Sequence, residues 1–321
     1  MWFPVIVSLS EGLPVRGQSA AQQSAVTLTP EIVVEFGREG DGPGEFRGPF
    51  GVTIGPDGLV YVADDEGHRI QVFDRAGRLQ RILGRHGTGP GELAWVDSVA
   101  VDANGHLFIA DTGNNRIQVW DRTGRFLREF GRSWRPWASL RNPRHVRLGP
   151  DGLAYVADFN GHAIRVFEKD GSLARTIGRE GASPGEFLGP LGLDIGDDGF
   201  LYVADSGNHR VQVFRTDGTF VRGFGSKGMA AGQFDSPHAV VRLEPNRLAV
   251  VDHANNRIQI VDGIGGVRAV AMAPRGDRPL RRPTSAALSM EGLLFVVDKG
   301  NHRVVGWKLP QLSGAAAGAA R

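Results

Sequence analysis

Short apolar runs separated by Gly-rich and Asp-rich turns recur along most of the chain. In the first period, two apolar runs are followed by one run that alternates and by a more polar run, as expected for strands that pass from the inside of a sheet to its edge. These four runs are PFGVTI (49–54), LVYVA (59–63), RIQVF (69–73) and RLQRIL (78–83). The pattern therefore predicts a unit of four antiparallel strands.

This unit is repeated six times. The leading aspartates of the copies are spaced by 47, 47, 47, 47 and 46 residues. A four-stranded unit of about 40–50 residues that repeats at a constant interval is typical of a β-propeller blade. We therefore predict an all-β fold, a six-bladed propeller. The segments that define the repeat are VADDEGHRIQVF (62–73), IADTGNNRIQVW (109–120), VADFNGHAIRVF (156–167), VADSGNHRVQVF (203–214), VVDHANNRIQIV (250–261) and VVDKGNHRVVGW (296–307).

The two ends of the pattern predict how the ring closes. The last copy stops after its third strand, near Leu309, whereas EIVVEFG (31–37) precedes the first copy and resembles an outer strand. We expect this N-terminal strand to complete the sixth blade, which removes an open edge. The predicted boundaries are a leader at 1–30, a propeller at 31–309 and a flexible Gly/Ala tail at 310–321.

The leader combines a short apolar stretch, WFPVIVSLS (2–10), with the small residues GQSAAQQSA (17–25). No Lys or Arg precedes the apolar stretch, so the segment is an incomplete export signal or a disordered leader. We interpret the chain as an exported bacterial protein, periplasmic or extracellular, with a cytoplasmic location as the alternative.

The blade pattern resembles the NHL repeat. The resemblance rests on P-x-G-V at the start of a blade and V-A-D-x-G-N-x-R-I-Q-V-F in its middle, and it covers roughly residues 31–309. It implies a six-bladed propeller. It says less about activity, because NHL propellers serve as protein-binding, RNA-binding, sensor and lyase domains.

Composition excludes several function classes. The chain has 321 residues, of which 46 are Gly and none is Cys, so thiol catalysis, Cys-based zinc sites and disulfides are excluded. The balance of 37 basic and 35 acidic residues argues against nucleic acid as the partner. No run approaches the roughly 18–20 apolar residues of a membrane span. We predict a monomer without a cofactor or a metal.

The residues that recur in every blade are interpreted as structural, because a binding site is usually asymmetric. The repeated aspartates are expected to cap the turn after the second strand, and the repeated arginines to bridge to them. Four histidines share one repeat position on separate blades and are poor candidates for a common metal. The string Gly181-Ala-Ser183-Pro-Gly185 fits G-x-S-x-G but lies in a connection between blades, so a catalytic serine is rejected. The histidines are His68, His162, His209 and His302.

The third blade departs most from the repeat. Its incoming loop, GRSWRPWASL (131–140), replaces the Gly-Pro-Gly pattern and carries Trp134, Arg135 and Trp137. Exposed aromatic residues beside arginines are typical of an interface, although both tryptophans could instead fold over neighbouring blades as a lid. The same blade has Phe159 after its repeat aspartate, and Arg144 and His145 near the start of its inner strand.

The inner strands bring further differences to the central channel. The second residue of each inner strand is, in order, Phe50, Asp97, Arg144, Leu191, His238 and Thr284. Asp97 and Arg144 lie on adjacent blades and could pair at the channel mouth, and Arg147 and Asp194 could pair deeper. His253 lies near His238, but the spacing offers no third metal ligand.

Three functions remain open. The first is recognition of a protein, peptide or glycan on the face that carries the blade-to-blade loops. A second is a metal-dependent lyase or hydrolase at the channel mouth, using His238, Asp97, Arg144 and His145, although a resemblance to the amidating lyase extends only to Pro237-His238 of its histidine triad. RNA binding is a third. The residues assigned to the recognition site are Trp134, Arg135, Trp137, Arg144, His145, Phe159, Asp97, His238 and His253.

Overall fold

The computed structural model describes residues 26–135, 138–196, 198–244, 247–263, 266–271 and 278–309. Their strands form six sheets, and the inner strand of each sheet contacts the inner strands of the two neighbouring sheets, including the first with the last. The prediction of a six-bladed, all-β propeller is confirmed. Within the described residues, no helix is long and apolar enough to cross a membrane.

The strands follow the order of the repeat, and each blade runs from the channel to the outer edge. Strands β1 (Val26–Leu28) and β2 (Glu31–Phe36) precede blade 1. Blade 1 contains β3 (Pro49–Ile54), β4 (Val60–Asp64), β5 (Arg69–Phe73) and β6 (Leu79–Leu83). Blade 2 contains β7 (Val96–Val101), β8 (Leu107–Asp111), β9 (Arg116–Trp120) and β10 (Phe126–Phe130). Blade 3 contains β11 (Pro143–Leu148), β12 (Ala154–Asp158), β13 (Ala163–Phe167) and β14 (Leu173–Ile177).

The remaining blades repeat this order. Blade 4 contains β15 (Pro190–Ile195), β16 (Phe200–Asp205), β17 (Arg210–Arg215) and β18 (Phe220–Phe224). Blade 5 contains β19 (Pro237–Glu244), β20 (Arg247–Asp252), β21 (Arg257–Asp262) and β22 (Val267–Ala271). Blade 6 contains β23 (Pro283–Leu288), β24 (Leu293–Asp298) and β25 (Arg303–Lys308). In four blades a single 3-10 turn joins the second and third strands, at Thr112–Asn114, Phe159–Gly161, Ser206–Asn208 and Lys299–Asn301.

The core lies between the blades. The middle strands of each sheet are buried on both faces, whereas an outer strand such as β6 alternates between covered and exposed residues, which explains its more polar sequence. Between blades 1 and 2, for example, Tyr61, Ile70 and Val99 pack with Ile109 and Trp120. Each blade therefore buries an apolar face that it could not bury alone.

The N-terminal strand closes the ring, as predicted. β2 pairs antiparallel with β25, with Glu31 opposite Lys308 and Phe36 opposite Val304. The Glu35 carboxylate lies 2.9 Å from the guanidinium of Arg303, which is buried. Because the first and last segments share one sheet, the ring cannot open without breaking a complete strand pairing.

A feature that the sequence did not predict lies on the outer edge of blade 5. There β1, from within the predicted leader, pairs in parallel with β22, with Val26 opposite Ala269. A strand of three residues is too short to show an alternating pattern. The rest of the predicted leader, residues 1–25, and the predicted tail, 310–321, lie outside the described residues.

Candidate functional site

In every blade the repeated aspartate is buried and accepts several hydrogen bonds, an arrangement that we call the clasp. In blade 2, Asp111 Oδ1 accepts a hydrogen bond from the backbone N–H of Ala94 (2.8 Å), and its Oδ2 accepts from Arg116 Nε (2.6 Å) and Gln118 Nε2 (2.9 Å). Asn114 donates to both carboxylate oxygens. The structural interpretation fits this geometry, but the expected turn capping is wrong for Asp111, whose side chain makes no capping bond to the 3-10 turn.

The arginine of the clasp also holds the incoming connection. Arg116 donates to the backbone carbonyls of Gly89 (2.8 Å) and Glu92 (2.9 Å), so one guanidinium joins the aspartate to the Gly-Pro-Gly loop. Blade 3 has Ala163 at this position. There Arg165, which occupies the glutamine position of the repeat, approaches Asp158 Oδ2 at 3.3 Å and supplies the missing cation.

The repeated histidines join successive blades. His68 Nδ1 accepts from the backbone N–H of Trp95, and His162 Nδ1 accepts from that of Gly189, both at 3.0 Å. Asn115 makes the same contact with the backbone N–H of Asn142 at 2.6 Å, which explains why either His or Asn serves at this position of the repeat. No group of three or more metal-ligating side chains is found among the described residues.

On the face that carries the blade-to-blade connections, here called the top face, blade 3 presents an exposed aromatic residue. The Trp134 side chain is 83% exposed and does not fold down as a lid. The Arg135 guanidinium lies over its ring at 4.7 Å from the centroid. Trp137, the other tryptophan of the predicted site, lies outside the described residues.

A second top-face aromatic residue, Trp95, was missed by the sequence analysis. It is 56% exposed and has a φ of +49°, a left-handed conformation that is unusual for a bulky residue. Trp95 borders a top-face cavity of about 510 Å³ between blades 2 and 3, together with Thr112, Leu140 and Arg141. A comparison of the residues that directly precede the inner strands could have found it, because the other blades have only Gly, Asn, Ser or Arg there.

The channel mouth contains the predicted pair of Asp97 and Arg144. Arg144 Nη1 lies 2.7 Å from Asp97 Oδ2, and Arg144 Nε donates to Asn142 Oδ1 at 2.7 Å. The Arg144 guanidinium also lies 5.7 Å from the Phe50 ring centroid and 5.4 Å from that of Phe159. Three of the predicted residues, Asp97, Arg144 and Phe159, are thus brought together.

A second ion pair at the mouth was not predicted. Lys299 Nζ lies 3.3 Å from Asp65 Oδ2 and 5.0 Å from the Phe50 ring centroid. Both residues directly follow the repeat aspartate of their blades, at the position that Phe159 and His253 occupy in blades 3 and 5. A comparison of this repeat position across the six blades, placed in order around the channel, would have predicted the pair.

Burial raises the pKa of both carboxylates at the channel mouth, those of Asp97 and Asp65. Burial and, to a smaller extent, the neighbouring Asp65 carboxylate together raise the pKa of Asp97 to about 7, against the opposing effect of Arg144. Burial likewise raises the pKa of Asp65, against the effect of Lys299. One oxygen of each carboxylate, Oδ1, is buried and has no hydrogen-bond partner among the described residues. Two buried acids with unused acceptors are therefore placed beside two cations.

The histidines of blade 5 stack on each other next to these ion pairs. The rings of His238 and His253 are parallel within 4° at a centroid distance of 3.6 Å, and Phe50 lies 6.0 Å from His238. Burial lowers the pKa of both imidazoles, so both are neutral near pH 7. The backbone carbonyl of Pro283 accepts from His253 Nδ1 at 2.9 Å, which leaves Nε2 as the unprotonated nitrogen.

His145 is buried in the inner strand of blade 3. The other inner strands have only small residues at its position: Gly51, Ser98, Gly192, Ala239 and Ser285. Burial holds the pKa of His145 well below its usual value, and its Nδ1 lacks a hydrogen-bond partner among the described residues.

The opposite end of the channel has its own ion pair, as predicted from the spacing. Arg147 Nε lies 3.5 Å from Asp194 Oδ1, and Arg147 Nη1 donates to Thr53 Oγ1 at 3.1 Å. A cavity of about 280 Å³ opens beside them. The two ends of the channel therefore carry separate charged groups.

Sequence comparisons agree with the repeat. The model of the NHL repeat matches residues 187–214, and a model described as a 6-bladed beta-propeller matches residues 54–140. The chain is 47% identical over 45 residues to the E3 ubiquitin-protein ligase TRIM71 of Rattus norvegicus and 42% identical over 45 residues to Protein lin-41 of Caenorhabditis elegans. Each match covers 14% of this chain and only 5% and 4% of those proteins.

Solved structures share the fold at low identity. A gluconolactonase from Xanthomonas campestris, XC5397, has a TM-score of 0.65 and 17% identity, with 90% of this chain and 98% of that chain covered. Streptogramin B lyase has a TM-score of 0.61 and 16% identity, with 86% and 97% covered. At this identity the similarity establishes the propeller and not a shared reaction.

Proposed function

We propose that this NHL-repeat propeller is a recognition module that binds a peptide segment of a partner protein on its top face. The observation that carries the proposal is Trp134, which is 83% exposed and has the Arg135 guanidinium over its ring. A soluble protein seldom leaves a tryptophan so open unless a partner covers it, and Trp and Arg are the residues most enriched at interface hot spots.

The neighbouring cavity extends this surface. Trp95, at 56% exposure, borders the 510 Å³ cavity between blades 2 and 3, which is also lined by Leu140 and Arg141 from the end of the connection that carries Trp134. The left-handed backbone at Trp95 costs of order 1 kcal/mol. The equivalent residues Asn142, Ser236 and Arg282 share this conformation, so it belongs to the repeat, and what sets Trp95 apart is its large, exposed side chain.

Charge indicates the kind of peptide. Arg135 and Arg141 are exposed on or beside this surface, whereas the nearby Glu129 carboxylate already lies 2.6 Å from Arg116 and 3.7 Å from Arg132. An excess of exposed guanidinium groups favours a partner with acidic side chains, because guanidinium and carboxylate form paired hydrogen bonds. The preferred ligand is therefore an acidic segment that also offers apolar or aromatic side chains.

Selection from a random peptide library displayed on phage tests this function. The wild-type protein is expected to enrich acidic sequences with an aromatic residue, and a Trp95→Ala/Trp134→Ala/Arg135→Ala variant is expected to lose that enrichment. Met290→Ala is the matched control, since Met290 is 78% exposed but lies in a turn between β23 and β24, away from the top face.

Three results would contradict the proposal. The first is enrichment that the triple variant leaves intact. The others come from parallel arms with a glycan array and a single-stranded RNA gel shift. If either ligand class binds through Trp95 and Trp134 while no peptide does, the partner is a glycan or RNA instead.

A further inference from the structure

The channel mouth contains two buried carboxylates that each have an oxygen without a hydrogen-bond partner among the described residues. Asp97 is 1% exposed, and of its two oxygens only Oδ2 is bonded, to Arg144. Asp65 is 8% exposed, and only its Oδ2 is paired, with Lys299. Both Oδ1 atoms are buried without a hydrogen-bond partner among the described residues. A buried acceptor without a donor is costly, so each of these oxygens calls for a partner, which a bound ligand can supply.

The two cations also retain donors. An ammonium group has three N–H bonds and a guanidinium has five. In the described part of the chain, Lys299 makes one hydrogen bond, to Asp65, and Arg144 uses Nε and Nη1. Both side chains are about one-quarter exposed, at 25% and 28%, so a ligand can reach them from solvent. Unused acceptors and unused donors therefore lie side by side.

Two aromatic rings lie beside these charges. Lys299 lies 5.0 Å and Arg144 lies 5.7 Å from the centroid of the Phe50 ring, and Arg144 lies 5.4 Å from that of Phe159. Carboxylates, cations and aromatic rings thus lie together at the channel mouth. A ligand that satisfies all three needs a cationic donor, an anionic acceptor and an apolar body.

We propose that the channel mouth binds a zwitterionic α-amino acid with an apolar side chain. Its ammonium group donates to Asp65 Oδ1 and Asp97 Oδ1, its carboxylate accepts from Lys299 and Arg144, and its side chain packs against Phe50. The repeat gives no structural reason for these residues, because the equivalent positions in other blades carry Leu191, Thr284 and Ser206. This site is independent of the peptide surface proposed above.

Isothermal titration calorimetry with the full chain tests the proposal. The probes are L-phenylalanine, phenethylamine, which lacks the carboxylate, and 3-phenylpropionate, which lacks the ammonium group. L-Phenylalanine is expected to bind at least about tenfold more tightly than either fragment, because each fragment forfeits charge-assisted hydrogen bonds. Equal affinity for the three compounds, or no heat with L-phenylalanine at millimolar concentration, would overturn it.

Two substitutions assign the binding to this site. Asp97→Asn keeps the shape of the side chain and is expected to weaken L-phenylalanine about tenfold, as is Lys299→Met, which removes the partner for the carboxylate. Glu291→Gln, an exposed carboxylate away from the mouth, is the matched control and should bind normally. Unfolding transitions of each variant show whether it is folded. Unchanged affinity in a folded Asp97→Asn or Lys299→Met protein would exclude the site.

Discussion

Asp64 and Asp65 are consecutive in the chain and both buried, yet their surroundings differ completely. Asp64 Oδ1 accepts from the backbone N–H groups of Arg47 and Gly48, both at 3.0 Å, and its Oδ2 accepts from Arg69 Nε at 2.9 Å. Asp65 has one cation, Lys299 at 3.3 Å, and an unused oxygen. An aspartate equivalent to Asp64 stands in all six blades, whereas no other blade has an acidic residue at the position of Asp65. In this propeller, a fully bonded buried acid therefore marks the framework, and an incompletely bonded one marks the asymmetric mouth.

The largest expected effect concerns the framework. Asp111→Ala leaves the buried Arg116 with Glu129 as its remaining carboxylate and deprives Gln118 and a backbone N–H of their acceptor. It should lower the free energy of unfolding by about 3–5 kcal/mol. Urea denaturation followed by tryptophan fluorescence measures the change. Asp121→Ala, at an exposed turn, is the control and should cost much less. A loss equal to that of the control would mean that the clasp is dispensable.

The second effect distinguishes the mouth from the framework by its pH dependence. Because the pKa of Asp97 is raised to about 7 in the folded protein, the folded state binds a proton more tightly than the unfolded state, whose Asp has a pKa near 3.8. The contribution of Asp97 to stability therefore falls as the pH rises from about 4 to 7, by up to about 4 kcal/mol.

Asp97→Asn removes this dependence. Relative to the wild type, the variant should become progressively more stable between pH 4 and pH 7, because it no longer ionises a buried group. Urea midpoints at unit pH intervals provide the measurement. A constant difference between the two proteins across this range would show that Asp97 is not a buried acid with a raised pKa.

A smaller effect tests how blade 3 replaces its missing arginine. Arg165→Gln restores the residue type of the repeat but removes the guanidinium that lies 3.3 Å from Asp158 Oδ2, and it should cost about 1–2 kcal/mol. Arg78→Gln is the matched control, because the pair of Arg78 and Asp74 is exposed. If both substitutions had the same small effect, Arg165 would not be part of the clasp.

The smallest expected effect on stability is at the proposed recognition surface. Trp134→Ala should change the free energy of unfolding by no more than about 0.5 kcal/mol, because the side chain is 83% exposed. Trp120→Ala, at 1% exposure, should be far more damaging. Thermal unfolding compares the two variants, and a large loss on removal of Trp134 would indicate a packing role instead.

Much of the candidate site could be predicted because the repeat gives a common register. Aligning the six copies placed Asp97 beside Arg144 and His238 beside His253, and the structure finds a 2.7 Å ion pair and a stacked ring pair. The functional roles of these residues stay predictions. Asp65 and Lys299 were missed because they lie in blades 1 and 6, far apart in the chain and adjacent only after the ring closes.

The sequence by itself determined the number of blades, the order of strands and the closing partner, because period-two patterning and a fixed interval are local properties that each copy repeats. Only the tertiary structure decided which buried polar groups have hydrogen-bond partners and which lack them. Hydrogen bonding and burial depend on residues that are distant in the sequence. Asp64 and Asp65 lie in the same short polar segment, yet the Asp64 carboxylate is hydrogen-bonded while Oδ1 of Asp65 has no partner among the described residues.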